Sequence, residues 1–249
     1  MRLDKAIFLR GLAQSRSRAE QLIASGNVSV NGETVKKASY AVEECDKILV
    51  RDFGYVGRGG LKLEYALDIF GILCRGKKAL DIGASTGGFT QCLLRRGAQK
   101  VIAVDVGHGQ MAPALAGDPR VLLLENTNAR YLAPEMTGGK AELAVMDVSF
   151  ISQTTLYPAV FSCLEEQAPV VTLVKPQFEA GSRNLNKKGI VRNAAVYPEV
   201  LVTIDRHART FGRGIAKACI SPVLGGDGNK EFLVLLERGA KSFDFESTL

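Results

Sequence analysis

The stretch Ala79-Leu80-Asp81-Ile82-Gly83-Ala84-Ser85-Thr86-Gly87-Gly88-Phe89-Thr90 decides the fold. An apolar run ends in small residues, and a helical pattern follows over residues 89–94. This order predicts a strand, a tight glycine turn and a helix start, which α/β proteins use to bring backbone close to a ligand. The free N–H groups of the helix face the same gap. We expect a ligand to bind here; the alternative is that the glycines only shape a turn.

What this turn lacks narrows the class of ligand. Ser85 stands where a dinucleotide-binding turn has its second glycine, and the Gly-Lys-Ser/Thr ending of a phosphate loop is absent. The next apolar run, residues 101–104, is followed by Asp105, which is placed to accept hydrogen bonds from ribose hydroxyls. A nucleoside cofactor without phosphates fits this pattern better than a dinucleotide. S-adenosyl-L-methionine is such a cofactor.

Composition is that of an ordinary globular protein: 249 residues, of which 46% are hydrophobic and 23% charged. No apolar run is long enough to span a bilayer, and the first residues form no signal peptide. Five scattered cysteines and two histidines predict neither a disulfide framework nor a metal site. We therefore expect a cytoplasmic monomer. The net charge of +6 is compatible with a polyanionic partner.

Residues 1–53 predict a small α+β module. Two short helices are expected, and Gly11 ends the first of them. Residues 26–32 alternate and close in Asn31-Gly32, a strong hairpin signal. Residues 42–50 supply a further strand, with Asp46 in a turn. Such a module is too small to hold a catalytic cleft of its own.

Basic side chains are concentrated in this module, where residues 1–30 carry five against two acids. Arginines beside a helix start suit phosphate contacts, although charge alone equally fits a solvated helix face. The candidates for RNA contact are Arg2, Lys5, Arg16 and Arg18, with Arg58 in the segment that follows.

The order of residues in the module favours RNA binding. Five runs resemble the RNA-binding domain of the ribosomal S-four type: Arg2-Leu3-Asp4, Ser15-Arg16-Ser17-Arg18-Ala19, Leu22-Ile23, Gly26-x-Val28-x-Val30-Asn31-Gly32 and Asp46-x-Ile48. This resemblance implies recognition of folded RNA, largely through the shape of its backbone.

Residues 54–60 are rich in glycine and predict a linker to a larger domain over residues 61–249. Alternating apolar and helical stretches there predict a doubly wound sheet. We expect strands over residues 78–82, 101–105, 120–124, 142–147, 168–175, 215–220 and 231–237. We expect helices over residues 87–96, 111–116, 152–164 and 196–211. No crossover helix separates the last two strands, so the final strand should run antiparallel to its neighbour. The predicted class is α/β, a Rossmann-like class I methyltransferase sheet preceded by a small α+β RNA-binding domain.

Function in such sheets gathers at the carboxyl ends of the strands. Asp147 closes the fourth strand, Lys175 the fifth, Glu231 begins the reversed last strand, and Lys62 reaches this edge from the preceding helix. A neighbouring cation and partial burial disfavour a charged lysine, so we expect Lys175 to take the proton of a ribose 2′-hydroxyl. Lys62 would favour that deprotonation and hold the substrate, while Asp147 and Glu231 orient the lysines. The alternative is four residues in surface salt bridges.

Six motifs in order resemble the TlyA (haemolysin A) family. They are Arg58-Gly59-Gly60-Leu61-Lys62-Leu63, residues 81–90 of the glycine turn, Val104-Asp105-Val106-Gly107-x-Gly109-Gln110, Asp147-Val148-Ser149-Phe150-Ile151-Ser152, Lys175-Pro176-Gln177-Phe178-Glu179 and Gly228-Asn229-x-Glu231-Phe232. The resemblance spans essentially the full chain. It implies an S-four-type domain joined to an FtsJ-like ribose methyltransferase domain.

This resemblance implies 2′-O-methylation of a cytidine in ribosomal RNA or ribosomal subunits, with S-adenosyl-L-methionine as donor. The family's Lys-Asp-Lys-Glu tetrad falls on Lys62, Asp147, Lys175 and Glu231. The chain begins almost at the RNA-binding motif and in this resembles the shorter members, which modify only large-subunit RNA. Modification of small-subunit RNA as well stays open. The residues implied to contact the cofactor are Asp81, Gly83, Ser85, Thr86, Gly87, Gly88, Phe89, Asp105, Val106, Asn128 and Asp147.

Two other functions stay open at the level of sequence. The same fold could hold ribosomal RNA during assembly without catalysis, and the historical name of the family points to membrane lysis. Lysis would need a long apolar segment or a strongly amphipathic helix, and the sequence has neither. Residues 181–189 are polar and basic, and are either a loop that closes over RNA or a solvated loop.

Overall fold

The computed structural model describes residues 1–13, 15–24, 26–50, 54–225 and 228–245. The chain divides into two compact units, Met1–Arg58 and Gly59–Leu249. The predicted end of the first domain at residue 53 and the last four residues of the second lie outside the described residues.

The first unit is a three-stranded antiparallel sheet with two helices. Its elements are α1 (Leu3–Leu9), α2 (Arg16–Ala24), β1 (Val28–Val30), β2 (Glu33–Thr34) and β3 (Ile48–Val50), with strand order β2-β1-β3. Asn31 and Gly32 both have positive φ, 52° and 90°, as the two-residue hairpin turn requires. The strand predicted over residues 42–50 is confined to β3, because the Asp46 carboxylate accepts the Glu43 N–H at 2.8 Å and closes a turn.

The second unit is a seven-stranded sheet with helices along it. In chain order its elements are α3 (Gly59–Phe70), β4 (Lys78–Ile82), α4 (Gly88–Arg95), β5 (Lys100–Val104), α5 (Pro113–Ala116), β6 (Val121–Leu124), β7 (Leu143–Met146), α6 (Tyr157–Ser162), β8 (Val170–Val174), α7 (Pro176–Glu179), α8 (Val196–Arg209), β9 (Arg213–Ile220) and β10 (Phe232–Arg238). The strand order is β6-β5-β4-β7-β8-β10-β9.

Strand β10 runs antiparallel to both of its neighbours, β8 and β9. The ladders from β6 to β8 are parallel. The sequence prediction of a mainly parallel sheet with a reversed last strand is therefore confirmed. Each of the seven strands predicted for this second unit begins and ends within two residues of the observed strand. The central strands are buried on both faces, which explains why they read as continuous apolar runs.

The helices depart further from the prediction. The helix predicted over residues 152–164 is a 3₁₀ turn at Gln153–Leu156 followed by α6. The short helix α7 was not predicted; its single proline, Pro176, stands at the first helical position, where proline is well tolerated. Helix α3 begins at Gly59, inside the predicted linker, where a Cβ would lie 3.2 Å from the Phe89 ring. No helix among the described residues has both the length and the apolar composition that a membrane crossing requires.

Candidate active site

A cavity of about 340 Å³ opens at the carboxyl ends of β4, β5 and β7. The ends of parallel strands at a change of strand order are the usual ligand site of such sheets. Its polar lining comes from Ser85, Asp105, Gln110, Thr127, Asn128, Asp147 and Ser149. Its apolar lining includes Val104, Val106, Ala129, Ile151 and Leu156. One polar side and one apolar side suit a nucleoside.

Asp105 fixes the two turns that border this cavity. Its carboxylate accepts the backbone N–H of Ser85 and that of Gly107, both at 2.7 Å. Ser85 adopts a positive φ of 46°, so its backbone is held in a conformation that costs energy outside glycine. A carboxylate has about four lone-pair positions, and Asp105 keeps acceptor capacity for a ribose hydroxyl. Ser85 Oγ also donates to Gln110 Oε1 at 3.2 Å; Gln110 lines the cavity and lies in one of the quoted motifs, although no role was predicted for it.

Two glycines of the turn are required by the protein's own packing. A Cβ on Gly83 would lie 2.4 Å from the backbone oxygen of Asp147, and one on Gly87 would lie 2.5 Å from Leu115. Both residues have positive φ, 83° and 93°. The glycine turn was predicted to allow close approach of a cofactor. In the structure, Asp147 and Leu115 of α5 face the missing Cβ atoms of Gly83 and Gly87, and Gly83 also lines the cavity, so its contact with a cofactor stays a prediction.

Asp81 lies beneath the turn and does not line the cavity. Its carboxyl group is fully buried and accepts a hydrogen bond from Thr90 Oγ1 at 2.6 Å, and its Oδ1 has no hydrogen-bond partner among the described residues. Burial raises the pKa of Asp81 to about 7, against the opposing effect of the Thr90 hydrogen bond. The negative charges of Asp147 and Asp105 raise this pKa further.

The predicted cofactor residues thus fall into two groups. Those that line the cavity are Gly83, Ser85, Asp105, Val106, Asn128 and Asp147. Those outside its lining are Asp81, Thr86, Gly87, Gly88 and Phe89. The second group shapes the turn: the backbone oxygen of Thr86 accepts the Ala112 N–H at 3.2 Å, and Gly88 and Phe89 are buried at the start of α4.

Lys62 and Glu231 form a buried ion pair beside the cavity edge. Lys62 is 6% exposed and Glu231 is 3% exposed, and the ammonium group contacts the Glu231 Oε2 atom directly. The residues are 169 positions apart in the chain. Each charge would be costly to bury alone, so each makes the burial of the other possible. The pair joins α3 to the start of β10.

Lys175 and Asp147 form the second pair. Lys175 Nζ lies 2.7 Å from Asp147 Oδ1 and donates a hydrogen bond to Ser149 Oγ at 2.8 Å. Both partners of Lys175 belong to the segment that follows β7, and Asp147 and Ser149 line the cavity. The amine is therefore fixed at the cavity wall by two side chains. Ser149 was not among the residues predicted from sequence, although it lies inside one of the quoted motifs.

Sheet register relates the two pairs to each other. Phe232 of β10 pairs with Val174 of β8, so one further step of the same antiparallel register sets Glu231 opposite Lys175. Asp147 continues the parallel ladder, because its N–H donates to the oxygen of Ile82 at 2.9 Å. The structure thus brings the four predicted residues of the tetrad together at the end of the sheet where the parallel strands have their carboxyl ends.

Phe150 is the most unusual residue at this edge. It has a positive φ of 64°, uncommon for a bulky residue, and it is 91% exposed while lining the cavity. Its ring lies 5.0 Å from that of Phe178. Backbone strain of this kind is retained when the position has a role. No role was predicted for Phe150, although it lies between Ser149 and Ile151 in one of the quoted motifs.

Glu179 holds the segments around Phe150 and Phe178 together. Its carboxylate accepts from Ser152 Oγ at 2.6 Å and from the Gln153 N–H at 2.9 Å. Burial raises the pKa of Glu179, although these hydrogen bonds oppose the rise. Helix α7 is thereby fixed to the segment after β7.

The predicted RNA contacts in the first unit are placed differently from one another. Arg2 and Arg16 both bind the buried carboxylate of Asp4, at 2.9 and 2.5 Å, and hydrogen bonding from Arg2 holds the pKa of that carboxyl well below its usual range. Arg18 donates to the backbone oxygen of Tyr55 at 2.6 Å. Lys5 is exposed, and Arg58 is half-buried before α3.

Family models match both parts of the chain. The FtsJ-like methyltransferase family matches residues 55–238, and the S4 domain matches residues 1–48. The chain is 42% identical over 238 residues to the 16S/23S rRNA (cytidine-2′-O)-methyltransferase TlyA of Mycobacterium tuberculosis, covering 94% of this chain and 89% of that protein. It is 42% identical over 235 residues to Hemolysin A of Brachyspira hyodysenteriae, covering 94% and 98%.

A solved structure from Streptococcus thermophilus, named as a hemolysin, superimposes with a TM-score of 0.76 at 39% identity. It covers 97% of this chain, and 89% of that chain is matched. A methyltransferase from Listeria monocytogenes, named as S-adenosylmethionine dependent, has a TM-score of 0.55 at 14% identity and shares the fold. With a family match over most of its length and relatives at 42% identity across 94% of it, the chain belongs to the TlyA (haemolysin A) family of FtsJ-like methyltransferases.

Proposed function

We propose that this chain transfers the methyl group of S-adenosyl-L-methionine to the 2′-hydroxyl of a cytidine in ribosomal RNA. The observation that carries the proposal is the contact between Lys175 and Asp147, since Asp147 also lines the nucleoside-sized cavity. An amine held beside a cavity that suits a methyl donor supports this reaction. The substrate class comes from relatives named as rRNA cytidine methyltransferases.

The cavity has the chemistry that the donor needs. When bound, S-adenosyl-L-methionine supplies a methyl group on a positively charged sulfur. Asp105 is proposed to accept from its ribose hydroxyls, and Val106, Ile151 and Leu156 to contact the flat base. The Asn128 side-chain oxygen accepts the Arg130 N–H at 3.0 Å, so its NH₂ group is left to donate to the base edge.

Lys175 is the proposed base. Asp147 and Ser149 orient its amine before RNA binds, which satisfies the geometric requirement for proton transfer. An uncharged Lys175 would accept the 2′-hydroxyl proton as the methyl group leaves the donor sulfur and bonds to that oxygen. Asp147 then stabilises the resulting ammonium. Lys62 and Glu231, paired with each other at the same edge, are proposed to hold the ribose.

Phe150 is proposed to stack on the target base or on its neighbour. An exposed aromatic ring with a fixed backbone provides a flat surface for an unstacked base, and enzymes that modify nucleotides within RNA take their target out of the stack. Phe178 supports the ring from one side. A Phe150→Leu variant is expected to raise KM for RNA and leave donor affinity unchanged.

The decisive experiment incubates the purified chain and labelled S-adenosyl-L-methionine with ribosomal RNA and ribosomal subunits from cells lacking the gene. We expect label on a cytidine ribose. Both subunits are needed, because one relative is named for 16S and 23S rRNA and another for 23S rRNA alone. RNA binding without methyl transfer would instead indicate a non-catalytic assembly factor.

The free thiols of all five cysteines and an rRNA substrate support the cytoplasm as the site of action.

A further inference from the structure

The segment that follows α7 folds into a hairpin, which we name the basic hairpin and define as residues 183–192. Leu185 and Val191 form an antiparallel bridge, and the Asn186 side-chain oxygen accepts the N–H groups of Lys188 and Ile190 at 2.8 and 3.0 Å. Val191 is buried in the core of the second unit. The segment is therefore an ordered element with its own hydrogen bonds.

Two asparagines hold the basic hairpin at the catalytic edge. Asn229 is buried; its oxygen accepts the Val191 N–H and its NH₂ group donates to the Gly189 oxygen, each at 3.1 Å. It lies two residues before Glu231. At the other end, Asn184 donates to the oxygen of Ala180 at 2.6 Å, five residues after Lys175. Asn229 and Asn184 thus attach the hairpin to the chain segments that contain Glu231 and Lys175.

The charge of this element is of one sign. From residue 180 to residue 198 the chain has four cations and no acid. The four, all exposed, are Arg183, Lys187, Lys188 and Arg192. Among the residues that the structure describes, none of these side chains forms an ion pair or a side-chain hydrogen bond. Protein folding alone does not require four unpaired cations on an element anchored beside a catalytic site.

We propose that the basic hairpin binds the phosphodiester backbone of the RNA substrate next to the target ribose, an inference that rests on the proposed function. Lysines act on phosphate as point charges and release condensed counterions when they bind. Such contacts position the substrate and read no base. The hairpin therefore contributes to affinity for RNA and leaves the choice of nucleotide and the chemical step to the cavity and tetrad.

The test compares two double variants with the same change in charge. Lys187→Gln/Lys188→Gln alters the basic hairpin. Lys100→Gln/Lys140→Gln alters exposed lysines near the amino-terminal ends of β5 and β7, at the other end of the strands from the tetrad. For the hairpin variant we expect KM for RNA to rise about tenfold or more at roughly 0.1 M salt, with kcat and donor affinity unchanged. The slope of log affinity against log salt should fall by about 1.4 to 1.8, from roughly 0.7 to 0.9 per phosphate contact.

Three outcomes are distinguishable. If KM and salt slope of the hairpin variant match those of the control variant, the proposal is wrong. If KM rises for intact subunits but not for naked RNA, the hairpin contacts ribosomal protein and the proposal is again wrong. Equilibrium binding to RNA, measured without turnover, tests the hairpin even if the wild-type chain transfers no methyl group, so failure of the proposed function is recognised separately.

Discussion

Lys175 Nζ lies 2.7 Å from Asp147 Oδ1, and these two residues close adjacent strands of the sheet. The contact holds the amine beside Asp147, a residue that lines the cavity. Preorganisation of this kind reduces the entropy that must be lost when the reacting groups meet. It also makes Lys175 the first residue to test.

Lys175→Ala is expected to lower the rate of methyl transfer by roughly 10²- to 10⁴-fold, the usual effect of removing a general base. Donor affinity should stay near that of the wild type, because Lys175 does not line the cavity. Single-turnover kinetics and calorimetry measure the two quantities. Ser149→Ala, which leaves the contact to Asp147 in place, serves as the milder comparison. Retained turnover in Lys175→Ala would remove this residue as the base.

The Lys62–Glu231 pair gives a prediction about stability. Glu231→Leu leaves Lys62 buried without its counter-charge and should lower the free energy of unfolding by roughly 3–5 kcal/mol. Lys62→Met/Glu231→Leu should recover most of that stability and no activity. Denaturant melts and methyl-transfer assays on the same samples check both statements. A double variant as unstable as the single one would contradict the buried-charge explanation.

Gly83→Ala tests the packing role of the glycine turn. The new Cβ would overlap the oxygen of Asp147, which must shift, and the positive φ of 83° adds strain. Gly71→Ala is the control, because its φ is 74° and no atom lies within 4 Å of its Cβ position. Strain alone costs of the order of 1 kcal/mol. Gly83→Ala should therefore be clearly less stable than Gly71→Ala, and it alone should lose donor affinity.

Asp81 predicts a pH dependence of stability. Burial raises its pKa to about 7, above an unfolded value of about 3.9, so between these values the folded protein holds a proton that the unfolded chain has released. Its contribution to stability is complete below pH 4 and falls as pH rises to about 7, by at most about 1.4 kcal/mol per unit. Asp81→Asn should remove this component. Melts of both proteins at pH 5 and pH 8 measure it, and identical pH profiles would contradict it.

Among the predicted RNA contacts, Lys5 can be substituted without breaking an ion pair to a buried acid, whereas Arg16 cannot. Arg16 binds the buried Asp4 carboxylate, so its loss perturbs the fold of the first unit together with any RNA contact. Lys5→Gln should lower the salt slope of RNA binding by about 0.7 to 0.9 and leave the melting temperature unchanged. An unaltered slope would mean that Lys5 contacts no phosphate.

Sequence periodicity was sufficient for the sheet because buried strands are strongly apolar and bounded by glycine or acid. The short elements were harder to predict. Helix α7 begins at Pro176 and depends on the carboxylate of Glu179 reaching back to Ser152, a contact between distant residues that no local pattern contains. The same reason explains why residues 181–189 read as unpatterned, since the hairpin there depends on Asn229.

The site was predictable in its membership and less so in its pairing. Strand ends indicated that Lys62, Asp147, Lys175 and Glu231 meet, yet only coordinates could assign each lysine to its acid. The packing of Gly83 against Asp147 could not be predicted, because sequence contains no information on what faces a missing Cβ. Phe150 was missed for a related reason: its importance lies in backbone conformation and exposure, and neither is encoded by residue type.

The 169-residue separation between Lys62 and Glu231 has a consequence for synthesis of the chain. A growing polypeptide that stops short of β10 has no acid for Lys62 and no strand between β8 and β9. Competence to modify RNA is thus expected to arise only when translation of the domain is almost complete. On the proposed function, β10 completes the active centre, so a partly made fragment is expected to be inactive.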